Sequence, residues 1–312
     1  MTTVSVILPT YNRGSTIQRA VASVLKQTFE DLELIIVDDG STDNTLDYLR
    51  SIDDPRVRIV ALETNRGLGA ARNAGIAHAG SPYLAFQDSD DEWLVTFLER
   101  QMAILTAAGP EFGACHCGKI QYGRDDQRNF GKRRAAYMPD LARPVVEGDL
   151  YKEVLRHAIV STQTLVVRTD LVRQIGGFDE SLRIGLDWEL STRLTQITKY
   201  KFIDEPLVMT FLMPDSVSHR RLAGAFTLQK ILNNHADAYQ QDARLHSEKL
   251  VDMARTYQKA GQWADARPFA AQALKRRPSA RALATWAVGL AGPVFGDLQK
   301  PPDPAADTNR RT

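Results

Sequence analysis

The sequence predicts an α/β protein, a mostly parallel sheet flanked by helices, with a small α-helical appendage at its C-terminus. Three observations carry this. Short apolar runs of strand type alternate with amphipathic stretches from Val4 to Phe86, which is the pattern of βαβ units. The runs end on polar and acidic residues, at Thr10–Asn12, Asp38–Asp39 and Asp88–Asp91. In an open α/β sheet the carboxyl ends of the strands face a common ligand crevice. From about Ala223 the alternation stops and only helical spacing remains.

In order, Val4–Thr10 is a buried strand with a turn at Pro9–Arg13. Thr16–Gln27 carries Ile17, Ala20, Val21, Val24 and Leu25 at helical spacing. Leu32–Val37 is a second strand, Thr45–Ile52 a helix and Val57–Leu62 a third strand. Asn65–Gly69 is a loop, Ala70–Ala79 a helix, and Tyr83–Phe86 a fourth strand. A helix is expected over Trp93–Ala107, with Asp91 and Glu92 as its capping acids, then a strand over Phe112–Ile120. Gln121–Pro144 is polar and reads as a surface loop, its basic cluster (Arg124, Arg128, Lys132, Arg133, Arg134) giving a basic lid over something anionic as the second reading. Strands follow at Ser161–Arg168 and Val208–Met213, and a helix opens at Asp187.

Composition excludes several classes. The 312 residues are 43% hydrophobic and 25% charged, as in ordinary globular proteins. Two cysteines, Cys115 and Cys117, cannot make a disulfide framework, and a reducing, cytoplasmic setting is expected. Neither a signal peptide nor a bilayer-spanning run is expected. Charge is uneven: residues 1–219 hold 24 Lys and Arg against 30 Asp and Glu, whereas residues 220–312 hold 15 against 8. The basic half has an anionic membrane surface or an acidic glycan as candidate partner, with a solvated helical face as the plain alternative. No nucleic-acid recognition motif accompanies the basic residues.

The chemistry centres on Tyr83–Asp91, where an apolar run stops at Asp88, Asp90 and Asp91. Strand side chains alternate, so Asp88 and Asp90 fall on one side. Two hard oxygen ligands suit Mg²⁺ or Mn²⁺, and Mg²⁺ completes its shell with waters and substrate phosphates. The alternative is an acidic strand-to-helix turn in which Asp90 or Asp91 caps the helix.

Val-Ser-Val-Ile-Leu-Pro-Thr-Tyr-Asn, Val-Asp-Asp-Gly-Ser-Thr-Asp, Asn-Arg-Gly-Leu-Gly-Ala-Ala-Arg-Asn-Ala-Gly and Asp-Ser-Asp-Asp occur in that order. Over residues 3–220 the chain resembles family 2 of the inverting glycosyltransferases, with the GT-A fold. That resemblance implies transfer of a sugar from a nucleotide-diphosphate sugar, UDP by default, aided by Mg²⁺ or Mn²⁺. It sets the base against Pro9, Thr10 and Tyr11, with Asp39 accepting from the base and Asp38 beside it. Arg72 and Asn73 then face the donor, Asp90 ligates the metal, and Asp88 approaches the ribose or the metal shell. Gly185-Leu-Asp-Trp-Glu-Leu190 matches the segment holding the general base, Asp187, although Leu186 stands where the family has Glu. His219 corresponds to a further metal ligand in several relatives; a solvent-facing or hydrogen-bonded His is the alternative.

The Gln-x-x-Arg-Trp signature of processive synthases is absent, so single addition to a saccharide or lipid-linked acceptor is expected, in surface-polysaccharide or lipid-linked glycan assembly. Domain boundaries follow at 1–222 for catalysis and 223–296 for a helical region, with 297–312 as a disordered tail. Leu250, Met253, Ala254, Tyr257, Gly261, Trp263, Ala266, Ala270, Ala273, Leu274 and Pro278 fit one tetratricopeptide-like helix pair. One such unit cannot bury its own faces, so it packs on the catalytic domain, a protein partner or a second subunit. Two other classes compete: a metal-dependent nucleotidyltransferase, and a degenerate transferase acting as a docking module through its helices.

Overall fold

The computed structural model describes residues 2–123, 135–139, 146–212 and 221–295. Internal contacts divide the chain into two compact units, Met1–Val217 and Ser218–Thr312.

The first unit opens with β1 (Val4–Thr10), α1 (Ile17–Leu25), β2 (Leu32–Asp38), α2 (Thr45–Arg50), β3 (Val57–Ala61), α3 (Leu68–His78) and β4 (Tyr83–Phe86). These four strands lie parallel in the order β3-β2-β1-β4. The chain therefore runs outward from β1 on one side and returns to its other side at β4. That reversal puts the topological switch point, where such sheets bind ligands, between β1 and β4. Then come β5 (Glu92–Trp93), α4 (Phe97–Ala107), β6 (Phe112–Tyr122), β7 (Ala135–Met138), α5 (Tyr151–Arg156), β8 (Leu165–Arg168), α6 (Thr169–Gln174), α7 (Leu186–Leu194) and β9 (Lys199–Phe211). Among the described residues one sheet of nine strands results, ordered β3-β2-β1-β4-β8-β6-β9-β5, with β7 on β6. The strand β8 runs antiparallel to both β4 and β6, while β6 and β9 are parallel.

Period-2 alternation divides the strand residues between two cores. Val6, Leu8, Leu34 and Ile36 pack with Ile17, Val21 and Phe97 on one face. Ile7, Ile35, Val37 and Phe86 pack with Ile76, Leu190 and Leu194 on the other. Both faces are covered, so these strands read as continuous apolar runs rather than alternating ones. Close approach of α3 requires Gly75: a Cβ there would lie 2.5 Å from Cγ2 of Ile7.

Several expected boundaries differ. The helix expected from Trp93 begins at Phe97, because Glu92 and Trp93 instead pair with Met209 and Val208. Trp93 is buried, stacked on Phe97 at 4.0 Å, and its indole N–H donates to the Gln163 carbonyl at 2.9 Å. Asp91 does not cap that helix: its carboxylate accepts from the backbone N–H of Phe211 (3.1 Å) and from Gln163 Nε2 (3.2 Å). Ala135–Met138, expected within a loop, is a strand paired with β6. Strand β9 begins at Lys199, nine residues before the expected Val208, because its polar first half is held by pairing with β6 rather than announced by apolar residues. The basic loop and the tail lie outside the described residues.

The second unit contains α8 (Arg221–Asn234), α9 (Ala236–Gln241), α10 (Ala243–Lys259), α11 (Trp263–Arg276) and α12 (Ala280–Phe295). Asp242 caps α10 by accepting from the Leu245 N–H at 2.9 Å. Between α10 and α11, Gly261 takes the left-handed conformation (φ 76°). Leu250, Met253, Ala254, Ala266, Ala270 and Ala273 are buried, and Tyr257 stacks on Phe269 at 5.6 Å.

Candidate active site

Two loops meet at the carboxyl ends of β1 and β2. The strand register pairs Thr10 with Asp38, and the Asp39 N–H donates to the Thr10 carbonyl at 2.8 Å. Asn12, in the left-handed region (φ 51°), accepts from the Thr42 N–H at 2.8 Å, and its own N–H donates to Ser41 Oγ at 2.9 Å. Both oxygens of buried Asp39 are engaged, accepting from the N–H groups of Arg66 and Gly67, each at 2.8 Å. They hold the turn that starts α3. Asp38 accepts from the Ser41 N–H at 3.1 Å through Oδ2, while its Oδ1 and Thr10 Oγ1 are buried without a partner. Neither Asp38 nor Asp39 caps α2, whose N-cap residue is Asn44; just before it, Asp43 accepts from Thr45 N at 3.0 Å and Thr45 Oγ1 at 2.5 Å. These bonds keep the Asp43 carboxyl below its ordinary pKa despite partial desolvation. Tyr11 stands 42% exposed beside this loop, after Pro9 at the strand end.

At the end of β4 the acids are placed differently. Asp88 accepts from Arg72 Nη2 at 2.6 Å. Arg72 is only 3% exposed, with its guanidinium 5.1 Å above the Phe178 ring and Nε buried without a partner. The plain alternative for Arg72, a solvated helical side chain, is excluded. Asn73 spends its amide on the 178–180 loop: Nδ2 donates to the Phe178 carbonyl (2.9 Å) and Glu180 (3.0 Å), and Oδ1 accepts from the Phe178 N–H (2.8 Å). Its part is to tie that loop to α3, not to present a free amide to a ligand. The Asp90 carbonyl accepts from Arg19 Nη2 at 2.5 Å, and Arg19 lies 4.0 Å over the Phe211 ring. Burial, then the charges of Asp88 and Asp90, push the Asp91 carboxyl well above its ordinary pKa, with Lys119 opposing.

Asp187 is the second residue of α7, after Leu186 and the N-cap residue Gly185, whose φ is 67°. Its Oδ1 accepts from the Trp188 N–H at 2.9 Å. Desolvation raises its pKa; Lys119, Arg72 and the Trp188 N–H lower it, and Asp88 raises it. Asp88 thus acts on Asp91 and Asp187 alike, as does Lys119, so the β4 end and the start of α7 share one electrostatic environment. Leu186, in place of an acid, is buried in the core with Cδ2 against Gly69. The neighbouring acid Glu189 is buried and bonds Arg193 at 2.6 Å, which in turn donates to the carbonyls of Ile175 and Gly177.

Sequence reasoning missed Lys119, Gln163 and Arg19. The Lys119 Nζ donates to Ser161 Oγ at 2.8 Å from the middle of β6. Its signal was a lone cation just beyond an apolar strand run. Gln163 carries none, since it is defined only by the fold bringing it to Asp91.

Among the described residues, no group of three or more His, Cys, Asp or Glu is arranged to ligate a metal. Asp88 already spends one oxygen on Arg72, and Asp91 is engaged by Phe211 and Gln163. His219 lies outside the described residues. The donors that remain are hard carboxylate oxygens in a site where three acids disfavour one another's charge, which fits a divalent cation that takes one or two carboxylates and completes its shell from water and phosphate.

Residues 5–154 match the glycosyl transferase family 2 profile. The chain is 45% identical over 224 residues to TuaG of Bacillus subtilis, a protein named for teichuronic acid biosynthesis, covering 71% of this chain and 84% of TuaG. The chain belongs to glycosyl transferase family 2. Within that family it is 35% identical over 189 residues to the succinoglycan biosynthesis protein ExoO of Rhizobium meliloti, covering 60% of this chain and 54% of ExoO. It is 39% identical over 102 residues to WfgD of Escherichia coli, named UDP-Glc:alpha-D-GlcNAc-diphosphoundecaprenol beta-1,3-glucosyltransferase, covering 33% of this chain and 40% of WfgD. The chain thus spans only about half the length of these last two relatives.

Solved structures share the fold. S. aureus TarS 1-349 in complex with UDP-GlcNAc superposes with a TM-score of 0.61 at 19% identity, covering 94% of this chain and 92% of that one. The mannosyltransferase PcManGT from Pyrobaculum calidifontis, in complex with GDP-Man and Mn2+, gives 0.60 at 19% identity, covering 94% and 81%. The expected GT-A fold is therefore the observed one. Glycosyltransferases of this fold commonly use a divalent metal. Among the described residues no helix is long and apolar enough to cross a membrane.

Proposed function

We propose that the Met1–Val217 unit transfers a sugar, with inversion, from a nucleoside diphosphate sugar to an acceptor hydroxyl, in the assembly of a surface polysaccharide or lipid-linked glycan. The observation that carries this is the buried polar set at the carboxyl ends of β1, β2 and β4: Thr10 Oγ1 and Asp38 Oδ1 lie buried without partners, and buried Arg72 holds Asp88 at 2.6 Å. UDP is the favoured nucleotide, by analogy with WfgD and TarS.

In this reading Tyr11 offers its ring to the base, and Pro9 fixes the loop beneath it. Thr10 Oγ1 and Asp38 Oδ1, both buried without partners, take the polar edge of the nucleoside, because such groups are costly unless a ligand satisfies them. Asp39 holds the loop through one backbone N–H on each oxygen, and its remaining lone pairs can still accept from the base. Arg72 fixes Asp88. Asp90 and the free oxygen of Asp88 would hold Mg²⁺ or Mn²⁺, which supplies Lewis-acid stabilisation of charge on the departing diphosphate. Asp187 takes the acceptor's proton as it attacks the anomeric carbon opposite the leaving group. A raised pKa suits that role, because a base is most effective near the working pH.

The test is a melting experiment with UDP, GDP and dTDP, each with and without Mn²⁺ or Mg²⁺, followed by release of nucleoside diphosphate from a panel of sugar donors. One nucleotide is expected to raise the melting temperature in the presence of the cation, and Asp90→Ala to abolish that gain. No shift with any nucleotide and no turnover of any donor would sink the proposal.

A further inference from the structure

Helix α12 is amphipathic in an inverted sense. It packs on α10 and α11 through its small residues, Ala282, Thr285 and Gly289, which are buried. The Thr285 carbonyl accepts from Gln258 Nε2 at 2.8 Å, and the Gly289 carbonyl from Arg267 Nε at 3.2 Å, so this inner face is fixed by hydrogen bonds as well as by contact. Trp286 is half-buried, but three large apolar residues point the other way: Leu283 is 52% exposed, Val288 50% and Leu290 49%. At 3.6 residues per turn Leu283, Ala287 and Leu290 form one line, with Ala284 and Val288 beside it. A helix that needed only to stabilise its own unit would place these residues inward and the alanines outward.

A basic corner adjoins this face. Lys275, Arg276, Arg277 and Arg281 are all exposed where α11 ends and α12 begins. Arg276 donates to the Gln240 carbonyl and Arg281 pairs with Asp252 at 2.7 Å. The side chains of Lys275 and Arg277 have no partner among the described residues. From 266 to 296 the sequence holds five basic residues and no acidic one.

We propose that the outer face of α12, together with this corner, docks the chain on an anionic lipid surface. A hydrophobic stripe flanked by unpaired cations is what such a surface recognises, since the apolar side chains enter the acyl boundary while Lys and Arg meet the headgroups. A second copy of this chain is a poorer match, because it brings the same basic corner and no acid within 266–296 to oppose it. With 16 residues, α12 is about 24 Å long, so it lies in the interface and does not span it. The docking rests on the helical unit's surface and not on the transferase reading.

Co-sedimentation of the full chain with vesicles tests it, with no sugar donor or acceptor present. Phosphatidylglycerol–phosphatidylcholine vesicles are expected to bind the protein, less so as salt rises, and pure phosphatidylcholine vesicles far less. Replacing the two unpaired cations (Lys275→Gln with Arg277→Gln) is expected to weaken binding about thirtyfold. Leu283→Ser with Leu290→Ser is expected to weaken it at least about tenfold, with the helical circular dichroism retained. If the apolar variant unfolds, the charge variant, altered only at exposed side chains, still decides. Equal binding to neutral vesicles, no binding to either vesicle, or undiminished binding by the charge variant would overturn the proposal. So would a dimer in sedimentation velocity that the apolar variant abolishes while wild type ignores vesicles; that outcome gives the face to a second copy.

Discussion

The two acid clusters at the sheet's rim are built on opposite principles. At the end of β2, Asp39 and Asp43 have their oxygens filled by backbone N–H groups and a neighbouring hydroxyl, and Asp38 by the Ser41 N–H on one side. At the end of β4, Asp88, Asp90 and Asp91 repel one another, and Asp187 is held desolvated opposite them. The same residue type thus fixes loops in one place and is buried among other acids in the other. A bonded carboxylate near the surface has its pKa lowered, as in Asp43, and a deeply buried one has it raised even though it is bonded, as in Asp91 and Asp187. Acids with raised pKa values at the end of β4 and the start of α7 are candidates for work on a ligand rather than on the fold.

Asp187→Asn attacks this contrast most strongly. It removes the proposed base but keeps the shape and an acceptor for the Trp188 N–H. Turnover measured by nucleoside diphosphate release is expected to fall about 10²- to 10⁴-fold, with donor affinity and melting temperature nearly unchanged. A residual rate near wild type would return Asp187 to a helix-start acid favoured by the dipole.

Asp39→Ala probes the other cluster and should show the reverse pattern. Two buried N–H groups, those of Arg66 and Gly67, lose a charged acceptor at once. Each such bond contributes roughly 1.5–3 kcal/mol, so a stability loss of about 3 kcal/mol or more is expected from denaturant unfolding. If stability held and only nucleotide binding failed, Asp39 would be a ligand contact after all.

The contrast explains what could be read in the sequence. The strands announced themselves, because burial on both faces demands uninterrupted apolar runs such as Val4–Leu8 and Leu32–Val37. Acids at strand ends were legible for the same reason: they stop those runs. What could not be read was which neighbour each acid would meet. The turn at Gly67 returns to Asp39 from across the loop, a partner its own stretch of sequence does not announce. Asp91 and Trp93 looked like a helix start, yet Met209 and Val208 arrive from far along the chain and pair with the backbone there. Lys119 and Gln163 became site residues only through sheet order, which places β8 beside β4 and β6 on the far side of β8. Local periodicity carries no record of such long-range pairings.

The smallest effect sharpens the comparison at one residue. Lys119 lowers the pKa of Asp187 against the rise that desolvation causes, and it does so from a fixed position, since its Nζ is held by Ser161 Oγ. Removing the cation in Lys119→Met leaves the desolvation unopposed by that charge, so the Asp187 pKa should rise further. A base works only when ionised, so the acid limb of the kcat/KM profile should move to higher pH, with the rate on the alkaline plateau falling less than the rate at acid pH. The stability sign runs the other way from that of Asp43. A carboxyl whose folded pKa is raised binds its proton more tightly folded than unfolded, so ionising it subtracts stability as pH climbs above the ordinary carboxylate value. Lys119→Met should therefore also steepen the loss of melting temperature over that range. An acid limb that stays in place, with uniform loss at every pH, would show that Lys119 acts on the donor or on folding rather than on the base.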